Sequence, residues 1–262
     1  MKCFNPVALF LLLTALCACE TFNEEEQVIC LPVNMTATVI QGTETKKVIA
    51  DLHYIPETVL LDHITWSNHQ THYFEYDEME RMHVVRQVKV DAKVQEEMWF
   101  IYDGTLVKRI DLVTRNLDYT YLEPLDSIYS GYIEYTYEGQ NIIEEDRYEI
   151  TQGGMREEYV WNAEYEYDQQ GNMLSSRASD PRTSSEESVQ MTYDLAKHPF
   201  SHVQYYFNGE SFVNNLLSKT ITKDNFNYSY ESHLNEHGYP ETINEKLGTS
   251  NTRVIRYSYI YL

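Results

Sequence analysis

The sequence predicts an all-β protein, an antiparallel up-and-down meander forming one strongly curved sheet or a near-closed barrel. Three observations predict it: aromatic residues that alternate with polar ones, turn signals just after those runs, and recurrence of the combination along most of the 262 residues. Alternation with period two marks a strand with one buried face, because successive side chains point to opposite sides.

The stretch Tyr165 to Asn172 (YEYDQQGN) shows the unit. By alternation Tyr159, Trp161, Ala163, Tyr165 and Tyr167 share one face, opposite Val160, Asn162, Glu164 and Glu166. Asp168 suits the first position of a type I turn, where its carboxylate accepts a backbone N–H, and Gly171 suits the left-handed position that closes it. Related units stand at Tyr73 to Asp77 (YFEYD), Tyr102 to Gly104 (YDG), Tyr135 to Gly139 (YTYEG), Tyr193-Asp194 and Tyr228 to Gly238. The anchor tyrosines Tyr76, Tyr102, Tyr137, Tyr167, Tyr193, Tyr230 and Tyr259 lie 26, 35, 30, 26, 37 and 29 residues apart. A solenoid stacks rungs of nearly constant length, whereas a meander absorbs loops of any length, so roughly a dozen or more hairpin-connected strands are expected.

Composition agrees. Tyrosine occurs 23 times, and the sparse glycines and prolines sit at turns rather than inside the runs. Val84 to Val94, the best helical candidate, alternates equally well as a strand, so little helix is expected. Ser175 to Ser188 (SSRASDPRTSSEES) reads as a polar loop between strands, since the Tyr-Asp pattern resumes at Tyr193.

The N-terminus has a different purpose. Lys2 precedes an apolar run from Val7 to Leu16, and Leu16-Cys17-Ala18-Cys19 resembles a bacterial lipobox, in which a small residue precedes the lipidated cysteine. Residues 1–18 are therefore expected to be a lipoprotein signal peptide, 19–33 a lipidated tether starting at Cys19, and 34–262 a single β domain. The mature chain would be held by its lipid rather than threaded through the bilayer. All four cysteines, Cys3, Cys17, Cys19 and Cys30, precede the body, which has no disulfide framework. Cys30 is either an incidental thiol or, if Cys19 is not lipidated, its disulfide partner.

Removing residues 1–18 takes away Lys2 and no acid, leaving 19 basic against 41 acidic side chains, a net charge of −22. Such a field repels nucleic acid, which is excluded as a partner. Much of the acid solvates outward strand faces, as at Glu144 and Asp146 or Glu164 and Glu166.

The segments Met191 to Val203 (MTYDLAKHPFSHV), Asn214 to Asp224 (NNLLSKTITKD) and Tyr228 to Ile243 (YSYESHLNEHGYPETI) resemble a group of Bacteroidetes lipoproteins of unknown function with a porin-like antiparallel β fold. The looser Tyr-x-Tyr-Asp units, which also look like YD repeats, extend the similarity back to about residue 70. The acidic run Glu24 to Glu26 just after Cys19 resembles a surface-export signal of such lipoproteins. The resemblance implies an outer-membrane lipoprotein, periplasmic or surface-exposed, and brings no catalytic residues. An integral membrane barrel is disfavoured, because the faces opposite the aromatics carry Glu134, Glu164, Glu166 and Arg256 where hydrocarbon would demand apolar side chains.

No cofactor or metal site is expected. His63, His69, His72 and His83 invite a metal reading, but His69 and His72 are three apart, which puts them on opposite faces of a strand. Acidic neighbours such as Glu144-Glu145 and Glu157-Glu158 diverge for the same reason. Asp103, Asp168 and Asp194 suit turns that bond their own backbone. Nucleophile elbows, phosphate loops and dinucleotide fingerprints are lacking. The candidate binding residues are the aromatics Tyr159, Trp161, Tyr165, Tyr167, Tyr257 and Tyr259, which could stack on sugars or peptides or form the core face of the sheet. The expected function is a non-enzymatic envelope lipoprotein binding a glycan, a peptide or another envelope protein. The alternative is a glycan-directed hydrolase whose acids gather inside the curved sheet.

Overall fold

Eight hairpins follow one another and close on themselves. In a computed structural model, which describes residues 28–90, 93–117, 124–151, 156–201, 214–223 and 225–262, the strands are β1 (Cys30–Gln41), β2 (Glu44–Tyr54), β3 (Leu61–Trp66), β4 (Gln70–Tyr76), β5 (Met82–Lys89), β6 (Val94–Asp103), β7 (Leu106–Leu117) and β8 (Pro124–Glu138). The second half comprises β9 (Asn141–Thr151), β10 (Arg156–Tyr167), β11 (Met173–Asp180), β12 (Ser185–Lys197), β13 (Asn214–Ile221), β14 (Phe226–Leu234), β15 (Pro240–Leu247) and β16 (Ser250–Tyr261). Each strand pairs antiparallel with its neighbours in sequence, and β1 pairs with β16 from Cys30 opposite Tyr261 to Val39 opposite Arg253. The sheet is thus a closed sixteen-stranded barrel without an exposed edge.

The anchor tyrosines explain the repeat. All seven lie on even-numbered strands, so one sequence unit is one two-stranded hairpin. On five even strands an inward tyrosine reaches back across the open end of its own hairpin and donates to a carbonyl at the start of the preceding strand. The bonds are Tyr54 to Pro32 (2.8 Å), Tyr102 to Met82 (2.7 Å), Tyr137 to Val107 (2.8 Å), Tyr193 to Met173 (2.7 Å) and Tyr259 to Pro240 (2.7 Å). These clasps sit at the rim where β1 begins, called here the N-terminal rim. Between hairpins the same rim is fixed by Asx turns: Asp77 Oδ1 accepts from Met79 N and Arg81 N, Asp168 Oδ1 from Gln170 N and Asn172 N, and Asn235 Oδ1 from His237 N and Tyr239 N. Gly171 has φ +90°, the left-handed position expected of it.

The main core lies inside the barrel, in the half toward the N-terminal rim. Leu52, Leu61, Ile64, Phe74, Met82, Val85, Phe100, Ile110, Ile133 and Tyr135 are buried together, and Phe200, from the segment after β12, packs against them. A smaller cluster of Met173, Val189 and Met191 is flanked by Tyr165, Tyr167, Tyr193 and Leu216.

The outer wall is polar. Arg86 pairs with Glu75 and, at 3.4 Å, with Glu97; Arg115 reaches Glu97 at 3.0 Å, Arg109 reaches Asp111 at 2.6 Å, Arg177 reaches Glu186 at 2.5 Å and Lys246 reaches Glu231 at 2.6 Å. A hydrocarbon-facing barrel needs an apolar band about 25 Å tall on this side. Here charges are instead tied together across strands β4 to β7, β11 to β12 and β14 to β15.

The structure places four features read from the sequence. Strand β1 starts at Cys30, where Cys30 and Leu31 pair with β16 and are fully buried. Ser175 to Ser188 is not a loop but the β11–β12 hairpin, turning at residues 181–184. Its serines and alanines alternate faces as well as larger residues do, with Ser176 and Ala178 opposite Val189 and Glu187 inside, so small polar side chains hid a strand. Tyr159 does not share a face with Trp161, since a bulge at Val160 shifts the register and turns Tyr159 outward. Cys30 is a buried thiol of the barrel wall, its pKa raised by burial.

Replacing Tyr102 by Phe removes the clasp while keeping the ring and leaves the Met82 carbonyl unmatched. The expected loss of stability is about 1–2 kcal/mol in denaturant unfolding, whereas Tyr73→Phe on the exposed wall should change it by less than about 0.5 kcal/mol.

Candidate functional site

Opposite the packed half, the lumen holds a cavity of about 800 Å³. Period-two alternation puts its lining in place. The register sets Ile133, Arg147 and Trp161 side by side across β8, β9 and β10, and Tyr135, Glu145 and Ala163 in the next row. His72, Gln87, Glu96 and Thr114 complete the wall from β4 to β7, and Asp180 with Arg182 from the β11–β12 turn stands at the far rim. Phe74, Met98, Leu112 and Ile133 form the apolar floor where the cavity meets the core.

The charges inside are mostly neutralised. Lys89 Nζ holds Glu96 at 2.6 Å, and Arg182 reaches Asp180 at 3.1 Å and Glu149 at 3.4 Å. Glu145 is different: burial pushes its pKa up, opposed by a hydrogen bond donated from Tyr165 Oη (3.2 Å) and by nearby Arg147. The cavity therefore holds one carboxyl whose pKa burial raises, beside Glu96, Glu149 and Asp180, which are tied to cations. His72 faces the lumen beside Trp66, with ring centres 5.9 Å apart, and its buried Nε2 has no hydrogen-bond partner. Burial, reinforced by Lys89, lowers its pKa to about 4, so it is neutral at physiological pH.

The six aromatic candidates are distributed, not gathered. Trp161 and Tyr165 line the cavity. Tyr167 lies deeper, against the cluster of Met173 and Met191. Tyr257 and Tyr259 lie together on β16, where Tyr257 meets Phe200 and Tyr259 meets Tyr239. Tyr159 stands outside in a stack with Tyr148 and Tyr132, its hydroxyl donating to Asp146 at 2.7 Å. The histidines are likewise apart: His63 stacks on His53 at 4.2 Å outside, His69 occupies a turn with φ +64°, His72 is in the lumen and His83 edges onto Trp99. Glu144 and Glu145 diverge as expected, outward and inward. Sequence reading missed Glu145, Arg147, Gln87 and Glu96 as cavity residues. Their signal was charge on both faces of one strand, as in Glu144 to Glu149 of β9.

The signal peptide and Cys19 lie outside the described residues. No protein-family model matches the chain, and no curated protein matches it significantly. Among solved structures, it is similar to a porin-like protein from Bacteroides vulgatus ATCC 8482, with 12% identity over 88% of this chain and 99% of that one and a TM-score of 0.51. A porin-like protein from Bacteroides uniformis ATCC 8492 is also similar, at 9% identity over 87% and 98% of the two chains, with a TM-score of 0.34. The first match shares the sixteen-stranded meander's fold.

Two neutral histidines make the fold acid-sensitive. His72 and His198 both have pKa values lowered by burial from 6.5 to about 4, and His198 Nδ1 accepts from Phe200 N at 3.3 Å. Below pH 6.5 the unfolded chain takes up protons that the native chain refuses, so stability should be full above 6.5 and fall as pH drops toward 4. Chemical denaturation across this range should show the decline, and His72→Gln should flatten it.

Proposed function

We propose that this chain is a non-enzymatic lipoprotein of a bacterial outer membrane, anchored through Cys19, whose barrel lumen binds an uncharged glycan. The observation that carries the reading is the cavity. Its volume falls in the range of small-molecule sites. Its lining joins stackable rings, Trp161, Tyr135 and Tyr165, to groups that hydrogen-bond without net charge, Gln87, Thr114, Ser130 and neutral His72. Internal pairing of Glu96, Glu149 and Asp180 with Lys89 and Arg182 favours a neutral ligand over an ionic one. The lipobox-like Leu16 to Cys19 supports the anchor, and the fold shared with a porin-like Bacteroides protein agrees with an envelope setting. A peptide or envelope protein is the other occupant this lumen could admit.

A hydrolase is the second reading, favoured by Glu145 alone. Its raised pKa suits a general acid. Hydrolysis of a glycosidic bond also needs a second carboxylate facing it across the scissile bond, and the other cavity acids are engaged by cations.

A glycan array followed by titration of tryptophan fluorescence tests both. A neutral oligosaccharide should bind and change the Trp161 emission, Trp161→Ala should weaken it by 10-fold or more (about 1.4 kcal/mol), and no product should form. Product formation abolished by Glu145→Gln would instead establish the hydrolase, and silence across neutral glycans would leave peptides or proteins as the ligand class.

A further inference from the structure

Exposed apolar side chains are unevenly spread among the described residues. Met79, Leu174, Leu195, Leu234, Ile260 and Leu262 are between 41% and 98% exposed, and all belong to the N-terminal rim or the strand ends beside it. The far rim carries Val90 and Phe226, with Ile128, Tyr129 and Tyr159 a few residues in from it and Leu217 on the wall. Leucines left in water beside a wall of ion pairs mark a surface made to be covered.

The same rim is where the chain enters the barrel. Ile29 N donates to Leu262 O at 3.2 Å and Leu262 N to Ile29 O at 3.0 Å, so the segment before β1 leaves from this end. Cys19 lies 11 residues before Cys30, a reach of about 37 Å when fully extended. That is little more than the barrel's own height, roughly 30 Å for tilted strands of this length. An anchor at Cys19 therefore attaches the barrel by its N-terminal rim and favours that rim toward the membrane.

We infer that this rim docks on the lipid surface, its leucines and methionine entering the headgroup layer, so that the cavity opens away from the membrane at the far rim. The inference rests on the lipid anchor proposed above and adds a second contact to it. The single acyl-bearing residue would otherwise leave the barrel free to tumble on its tether. Glu57, Glu78, Glu80, Asp103, Glu138 and Glu236 are exposed on the same rim, against exposed Lys108 and half-buried Arg81 and Lys197. The surface that fits is zwitterionic, and anionic lipid should oppose docking.

The test uses the acylated protein in zwitterionic vesicles, with Cys30→Ala and one dye at Leu195→Cys or Ser184→Cys, quenched by a lipid-borne quencher. Intact mass first reports whether Cys19 carries lipid. With the lipid present, the dye at residue 195 should be quenched at least threefold more than the dye at 184, and Leu234→Asp with Met79→Asp should erase the difference. Equal quenching at the two positions would overturn rim docking while leaving the anchor intact. If the mass shows no lipid, the anchor reading fails, and flotation of the unacylated protein with the vesicles decides the rim alone. Flotation lost in Leu195→Asp supports docking, and no flotation overturns it.

Discussion

The barrel depends on one hydrogen bond made many times: an inward tyrosine hydroxyl donating to the carbonyl that opens its own hairpin. A wide barrel has a difficulty that a small one lacks, because side chains from opposite walls cannot meet to fill it. Here bulky aromatic rings narrow the half toward the N-terminal rim, and burying a phenol there requires a partner for its hydroxyl. The strand-start carbonyls provide it. Burial raises the pKa of Tyr137 to about 12 and also raises that of Tyr102, so both remain neutral donors. The same contact thus satisfies the ring's polar end, fixes hairpin register and closes one end of the lumen.

With one half packed, the other is free to be polar. Glu145, Arg147, Gln87 and His72 line a cavity whose floor is the core itself, while a second polar layer covers the outside. The strands of this half are consequently wet on both faces, which explains why charge appears at successive positions of β9. Stability comes from the aromatic half and from closure of β1 on β16, and the ligand-sized space is carried by those elements rather than contributing to them.

Much of the fold was legible in the chain. Tyrosine alternation, Asx turns such as Asp168 to Asn172, and unequal spacing of the anchor tyrosines point to a meander of hairpins, because each follows from backbone geometry within a few residues. Closure was not legible, since pairing of Cys30 with Tyr261 is a contact between the two ends of the sheet. The site was legible in part. Trp161 and Tyr165 were marked by their rings, but alternation carries no information about bulges. The single extra residue Val160 therefore reversed the face of Tyr159, and charges that face a lumen look in sequence like charges that face solvent.

The clasp also bears on how such a barrel could change over generations. Because each tyrosine ties the second strand of a hairpin to the first strand of that same hairpin, no clasp is shared between neighbouring units. Duplication or deletion of one unit would leave every remaining bond in register and alter only the girth. Lumen width in this architecture is then a whole-number property of the gene, adjustable in steps of two strands without redesign of what lies between them.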